Sequence, residues 1–328
     1  MTEQYDVAAI GNAIVDVIAP ATDDFLAAEG LVKGSMQLID EAQATKLYAK
    51  MAAGIEASGG SAANTIAGVA SLGGSAAFMG KVAADQLGSV FVHDIWAVGA
   101  KYQTQPLKVG PATARCLINV TPDGQRTMCT YLGASTKFGP FDVDKDIIEA
   151  SKIVYLEGYL FDPDEARRAF AKAAGLARAA GRQIALTLSD SFVVDRHRGA
   201  LMEFIEDQVD ILFANEAEIT ALFETDFDAA IAEVRKHARI AAVTRSEQGS
   251  VIVSGDETHA VAAAPVEKVM DTTGAGDQYA AGFLFGLSRG RPLAECGRLG
   301  SMAAAEVISH YGPRPQVPLK ELAAAQGL

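Results

Sequence analysis

The sequence predicts an α/β protein with three layers, a mainly parallel sheet covered by helices on both sides, to which a small β-sheet lid is attached. Three observations carry this expectation. From about residue 150 onward, apolar runs of strand length alternate with longer stretches of helical period. In the first half, segments that alternate with period two stand outside that pattern. At 328 residues, 49% hydrophobic and 21% charged, the chain can also bury the core of one large domain.

Taken in order, an apolar strand ends at Gly11 and is followed by the first period-two pair, Asn12–Ala19 and Gly34–Ile39. Residues 57–80 carry no charge, yet their six glycines, Asn64 and four serines fit a tightly packed helix and a following strand better than a membrane span. A second period-two pair, Ala112–Val120 and Arg126–Leu132, flanks Pro122-Asp123-Gly124, whose proline and glycine suit a turn. The two pairs read as a small antiparallel lid built from excursions at about 12–40 and 103–132 of a single domain spanning 1–328. Strands follow at Ile153–Leu156, Ile184–Leu188, Ile211–Phe213 and Ile240–Val243, with an Ala-rich crossover helix at Asp164–Ala180. Gly249–Ser254 and His259–Ala263 are the last strands, and helices are expected over 275–288, 292–309 and 318–325.

Charge and composition exclude several classes of function. A formal net charge of −13 opposes non-specific binding to nucleic acid or anionic membrane, so neither is expected as a partner. The three cysteines, Cys116, Cys129 and Cys296, have no CxxC spacing and form no even framework, and the acidic N-terminal stretch does not resemble a signal peptide. A reducing cytoplasm is the expected compartment. The five histidines show no metal-binding spacing.

The segment Asp271-Thr-Thr-Gly-Ala-Gly-Asp277 sets a glycine-rich turn and a carboxylate at the start of an apolar helix. Gly274, Ala275 and Gly276 leave amides open to an anion at the positive end of the helix dipole. Asp277 then stands where it can take a proton from an attacking hydroxyl. The same residues also suit a plain turn with an N-cap. No Gly-Lys-Ser or Gly-Lys-Thr is present, which excludes a Walker-type loop, and the third glycine of a dinucleotide fingerprint is missing.

Three further segments accompany it. Gly11-Asn12-Ala-Ile-Val-Asp16 leaves the first strand at the sheet's carboxyl edge, where open α/β folds bind ligands and a carboxylate can accept from sugar hydroxyls. Ser58-Gly59-Gly60-Ser-Ala-Ala-Asn64 enters a helix with glycines that admit close approach of a ligand, or with a serine that simply caps it. Asn215-Glu-Ala-Glu218 follows a strand, and its two polar ends suit either a water-shelled Mg²⁺ or a helix cap.

Together these four segments resemble the ribokinase-like family of sugar and nucleoside kinases, also called the phosphofructokinase-B family, over essentially the whole chain. The resemblance implies ATP and Mg²⁺ as cofactors and admits a monovalent cation such as K⁺. It implies Asp277 as the base and Gly274, Ala275 and Gly276 as the anion hole. Asn12, Asp16, Gly59, Gly60 and Asn64 become the acceptor site, and Asn215 and Glu218 act on Mg²⁺ and phosphate through water. Thr244-Arg-Ser-Glu-Gln-Gly249 resembles the ATP-supporting loop, with Thr244, Ser246 and Gly249 at the contacts, and Arg126 matches an arginine that turns toward the phosphates.

For the acceptor, the first signature lacks the lysine common in ribokinases, Ser61 standing in its place, and looks more like the nucleoside kinases that act on adenosine. The expectation is therefore transfer to the adenosine 5′-hydroxyl, with Gln37 as a base contact and Tyr159 or Phe161 as an aromatic platform. Glu157 resembles a substrate-contacting glutamate of sugar kinases, so a ribose, fructose or keto-sugar kinase is the second expectation. A catalytically silent nucleotide-binding relative is the third. The expected partners are small molecules and ATP, and the chain is compatible with a monomer or a homodimer.

Overall fold

Nine strands make one sheet in a computed structural model that describes residues 4–328; the first three residues of the expected domain lie outside the described ones. Its strands are β1 (Tyr5–Ile10), β5 (Ala76–Met79), β6 (Lys101–Tyr102), β9 (Ser151–Glu157), β10 (Gln183–Thr187), β11 (Ile211–Asn215), β12 (Ile240–Thr244), β13 (Ser250–Ser254) and β14 (Glu257–Val261). They run in the order β14-β13-β12-β11-β10-β9-β1-β5-β6. All neighbours from β12 to β6 are parallel, and only β13 runs the other way, antiparallel to both β12 and β14.

Burial on both faces follows from the side-chain alternation of a strand. Val7, Ala9, Ile153 and Tyr155 point into a core shared with the Ser61–Ser71 and Ala275–Ser288 helices. Ala8, Ile10, Val154 and Leu156 point into a core shared with the Asp164–Ala179 and Ser191–Gln208 helices. That gives the three layers, and it fixes the carboxyl ends of β1, β9, β10, β11 and β12 along one edge.

The second sheet contains β2 (Ile14–Pro20), β3 (Met36–Leu38), β4 (Ile55–Gly59), β7 (Ala114–Val120) and β8 (Arg126–Tyr131), in the order β3-β8-β7-β2-β4. It is mixed rather than antiparallel. β2 pairs with β7 and β3 with β8 in parallel, and β4 joins as an edge strand that the period-two pattern did not mark. The segment 34–39 does not fold back on β2; the Asp23–Ala28 helix intervenes, and β3 crosses to the far edge. Val17, Leu117, Cys129 and Tyr131 of one face pack under Ala44 and Leu47 of the Glu41–Tyr48 helix. The opposite face overhangs the carboxyl edge of the large sheet. Among the described residues no helix is long and apolar enough to cross a membrane.

Candidate active site

A cavity of about 700 Å³ lies between the small sheet and the carboxyl edge of the large one. Thr272, Thr273, Gly274 and Asp277 form part of its floor, and Asn12, Asp16, Gly60 and Asn64 form one end. Three of the sequence-marked segments, far apart in the chain, therefore meet in one space because each sits at the end of a strand or the start of a helix.

At the floor, Gly274 caps the Ala275–Ser288 helix with φ +79°, a left-handed conformation natural to glycine, and a Cβ there would stand 2.6 Å from the Pro313 carbonyl oxygen. The amides of Gly276 and Asp277 that follow have no partner within the helix, whereas Ala275 N–H, expected to be open to an anion, donates to the Thr272 carbonyl at 3.2 Å. Asp277, two residues into that turn, is held by neutral donors from the Ser61–Ser71 helix: Ser61 Oγ donates to Oδ1 at 2.6 Å and Asn64 Nδ2 to Oδ2 at 3.0 Å. Protein surrounds the carboxyl apart from an edge on the cavity, and this burial raises its pKa against the lowering effect of those two hydrogen bonds.

Asp16 faces the same cavity from β2 and is buried. Burial raises its pKa to about 7, opposed by the cationic Arg314 and Arg126. Gly59, on the paired strand β4, leaves room for it, since a Cβ there would collide with the Asp16 carboxylate. Gly60 caps the helix with φ +91°, and a Cβ there would clash with the Asn12 carbonyl oxygen.

Glu157 at the end of β9 also reaches the cavity wall, but its oxygens are engaged. Oε1 accepts from Asn12 Nδ2 at 2.9 Å and from Asn12 N–H at 3.2 Å, and Oε2 accepts from Ala62 N–H at 2.9 Å. Its buried carboxyl, pushed up to about 7 by desolvation, clasps the β1–β2 turn to the helix that carries Asn64. Asn12 is thereby oriented by Glu157.

Asn215 and Glu218, at the carboxyl end of β11 and outside the residues that line the cavity, form a reciprocal cap. Asn215 Nδ2 donates to Glu218 Oε1 at 2.7 Å, Asn215 N–H to Oε2 at 3.0 Å, and Glu218 N–H to Asn215 Oδ1 at 2.8 Å. Burial, aided by the fields of Asp190 and Asp277 and opposed by the Asn215 N–H, lifts Glu218 to about 7. Thr244 is in register with Asn215, and Ser246 and Gly249 follow it in the next turn. These three lie on the carboxyl edge outside the cavity walls. Arg245, between them, pairs with Glu216 and stacks on Phe227, 3.8 Å from its ring centre.

Arg126, at the start of β8, spans the gap to the glycine turn. Its Nη2 lies 2.6 Å from Asp271 Oδ2, and Nη1 donates to Thr273 Oγ1 at 2.6 Å. Asp271 also accepts from Thr273 N–H at 3.0 Å and Gly312 N–H at 2.9 Å, so one carboxylate gathers three segments.

Two expected contacts are corrected. Gln37 does not face the cavity: its neighbours Met36 and Leu38 do, and Gln37 donates to Cys129 Sγ at 3.5 Å on the opposite face of the small sheet. A strand exposes every second residue to one side, so the three cannot share a face. Phe161 is buried among Phe170, Phe204 and His197, whereas Tyr159 lines the cavity. Sequence reasoning missed Ser61 as a partner of Asp277, the apolar walls Met36, Leu38, Met128 and Phe192, and Arg314. Ser61 was marked by its place after Gly-Gly; nothing in the spacing pointed to Arg314.

The pfkB family carbohydrate kinase model matches residues 6–320. A crystal structure of adenosine kinase from Sinorhizobium meliloti superposes with a TM-score of 0.93 at 54% identity, covering 99% of this chain and 100% of that one. A probable sugar kinase protein from Rhizobium etli superposes with a TM-score of 0.94 at 50% identity, covering 100% and 99%. Adenosine kinase of Saccharomyces cerevisiae is 29% identical over 93% of this chain and 95% of its own length.

Proposed function

The chain belongs to the pfkB family of carbohydrate kinases, and from that premise we propose that it transfers the terminal phosphoryl group of ATP to the 5′-hydroxyl of adenosine, giving AMP and ADP. The observation that supports it most is the shared cavity, with Asp16 at one end and Asp277 beneath the glycine turn. Met36, Leu38, Ile118, Met128 and Phe192 add apolar wall that a free sugar would leave in contact with water and a purine would cover.

In this reading Asp16 accepts hydrogen bonds from ribose hydroxyls, and Asn12 and Asn64 border the same pocket. Asp277 takes the proton as the 5′-oxygen attacks phosphorus; the bond from phosphorus to the bridging oxygen breaks and ADP leaves with that electron pair. A carboxyl held above its usual range by burial is a better proton acceptor once ionised, and its two neutral donors keep it aimed. The amides of Gly276 and its neighbours meet charge on the transferring group. Thr244, Ser246 and Gly249 are the proposed ATP-side contacts, Arg126 joins the phosphate side, and closure of the small sheet excludes water.

The donor set fits Mg²⁺ held through water. The fields of Asp190 and Asp277 raise the proton affinity of Glu218, which a cation would relieve, while no group of three or more ligating side chains converges among the described residues. Bound there, Mg²⁺ would neutralise phosphate charge. K⁺ beside the anion hole is a further proposed activator.

The test is ATP turnover on a panel of nucleosides, ribose, fructose and keto-sugars. Adenosine is expected to give the highest kcat/KM. Preference for a sugar would replace the acceptor assignment, and no turnover on any acceptor would support a silent nucleotide-binding protein.

A further inference from the structure

The loop after the Leu293–Val307 helix reads Gly312-Pro-Arg-Pro315, and three contacts fasten it to the glycine turn. Gly312 N–H donates to Asp271 Oδ2 at 2.9 Å, Gln278 Nε2 donates to Pro313 O at 3.1 Å, and Pro313 packs against Gly274. Prolines on both sides restrict the backbone, so the loop presents Arg314 from a fixed base. Arg314 Nε donates to Asn64 Oδ1 at 3.3 Å, and Asn64 Nδ2 donates on to Asp277 Oδ2 at 3.0 Å. Arg314 Nη2 is enclosed and makes no hydrogen bond within the described residues. Asp94 and Asp16 are the acids that act on this cation.

We infer that Arg314 is a positioning residue of the acceptor site, one that locks the Asn64 amide with its donor end toward Asp277 and supplies the cation that balances Asp16. The inference rests on reading Asp277 as the base and Asp16 as the hydroxyl binder. A guanidinium carries donors only, so it selects the oxygen of the amide. A flipped Asn64 would set its oxygen against the Asp277 carboxylate and its amino group against Arg314, two repulsive contacts in place of two attractive ones.

The charge balance at Asp16 has few members. The charges of Arg314, on the 312–315 loop, and Arg126, on β8, favour its carboxylate; those of Asp277 and Asp271 oppose it, and its own charge acts on the Cys116 thiol. Without Arg314, one cation remains against burial and two carboxylates. Protonation of Asp16 then persists to higher pH, and acceptor binding, which needs the carboxylate, weakens with it.

The experiment compares Arg314→Gln and Arg314→Lys in the full-length enzyme, with adenosine as acceptor, or with the panel sugar that is turned over if adenosine is not. Arg314→Gln is expected to raise the acceptor KM about tenfold at pH 7 and leave the ATP KM within about twofold. It should also move the acid limb of kcat/KM for the acceptor upward by about one unit, since a unit corresponds to about tenfold in proton affinity. Arg314→Lys keeps the charge and should return the limb to the wild-type position, while the acceptor KM stays raised because an ammonium lacks the planar fork. A Gln variant with wild-type limb and KM overturns the inference, as does a Lys variant whose limb is displaced like that of Gln. If Arg314→Gln does not fold, Arg314→Lys decides: a raised acceptor KM with an unmoved limb supports the role, and a wild-type KM overturns it. Asp16→Ala run in parallel separates the two readings. An unchanged acceptor KM there removes the acceptor-site assignment itself, whereas an impaired Asp16→Ala beside an unaffected Arg314→Gln removes only the role of Arg314.

Discussion

Arg126 and Asp271 form a buried ion pair, Nη2 to Oδ2 at 2.6 Å, that ties the small sheet to the turn preceding the Ala275–Ser288 helix. Both side chains are shielded, at 10% and 3% exposure, so bulk solvent screens the pair little. Loss of the cation leaves Asp271 buried with only hydrogen-bond donors. Arg126→Met is therefore expected to destabilise the protein by about 3–5 kcal/mol. Urea denaturation checks this, and a change under about 1 kcal/mol would show that the pair contributes little.

Asp277→Asn removes the proposed proton acceptor while keeping the shape of the side chain. Turnover should fall by about 10²–10⁴-fold, the usual share of general base catalysis, with ATP affinity within about twofold. Steady-state kinetics and nucleotide titration measure the two quantities; unchanged turnover would reject Asp277 as the base.

Burial pushes the carboxyls of Asp16, Glu157 and Glu218 each up to about 7 in the folded state, well above the ordinary carboxylate values of 3.8, 4.5 and 4.5. Between about pH 4 and pH 7 the folded protein holds more protons than the unfolded chain, so stability should fall as pH rises and level off above 7. Asp16→Asn removes one contribution. At pH 8 the ligand-free variant should exceed wild type by up to a few kcal/mol, while its acceptor affinity drops at least about tenfold. Melting curves from pH 5 to 8.5 decide it: parallel wild-type and variant profiles would refute the linkage.

Two glycines of the turn should part company. Gly274→Ala imposes a left-handed φ on alanine and a clash with Pro313, and should cost at least about 1–2 kcal/mol of stability. A Cβ on Gly276 meets no atom within 4 Å, so Gly276→Ala should be neutral or stabilise the helix by about 0.5–1 kcal/mol. That methyl would nevertheless occupy space beside the proposed phosphate position. Gly276→Ala should raise the ATP KM despite normal folding, and an unaltered ATP KM would argue against an anion site there.

Alternation along β3 predicts a pattern of three. Gln37→Ala should leave the acceptor KM within about twofold, while Met36→Ala and Leu38→Ala each raise it by about tenfold, the usual worth of a few methylenes in an apolar pocket. Equal effects at all three positions would contradict the orientation of the strand.

Local chemistry explains how much could be read beforehand. Parallel strands at residues 153, 184, 211 and 240 announced themselves by apolar runs between helical stretches. The glycine turn before Asp277 and the Asn215–Glu218 pair could be located because a helix start is written in a few adjacent residues. The mixed pairing of the small sheet was not readable, since β2 joins β7 across about a hundred residues and β4 lacks a clean period. Gln37 was placed on the wrong side because its strand is only three residues long, too short for alternation to set the face.

Taken alone, then, the chain disclosed its family, its layered architecture and the four segments proposed to bear the chemistry, because strand period, helix capping and glycine turns depend on neighbours in sequence. Only folding brought Ser61 and Asn64 onto Asp277, engaged Glu157 with Asn12 and Ala62, and set Arg314 behind Asn64. Those relationships depend on burial and on contacts between residues up to 250 positions apart, and desolvation, which lifts the site's carboxyls toward neutrality, exists only once the surrounding layers close over them.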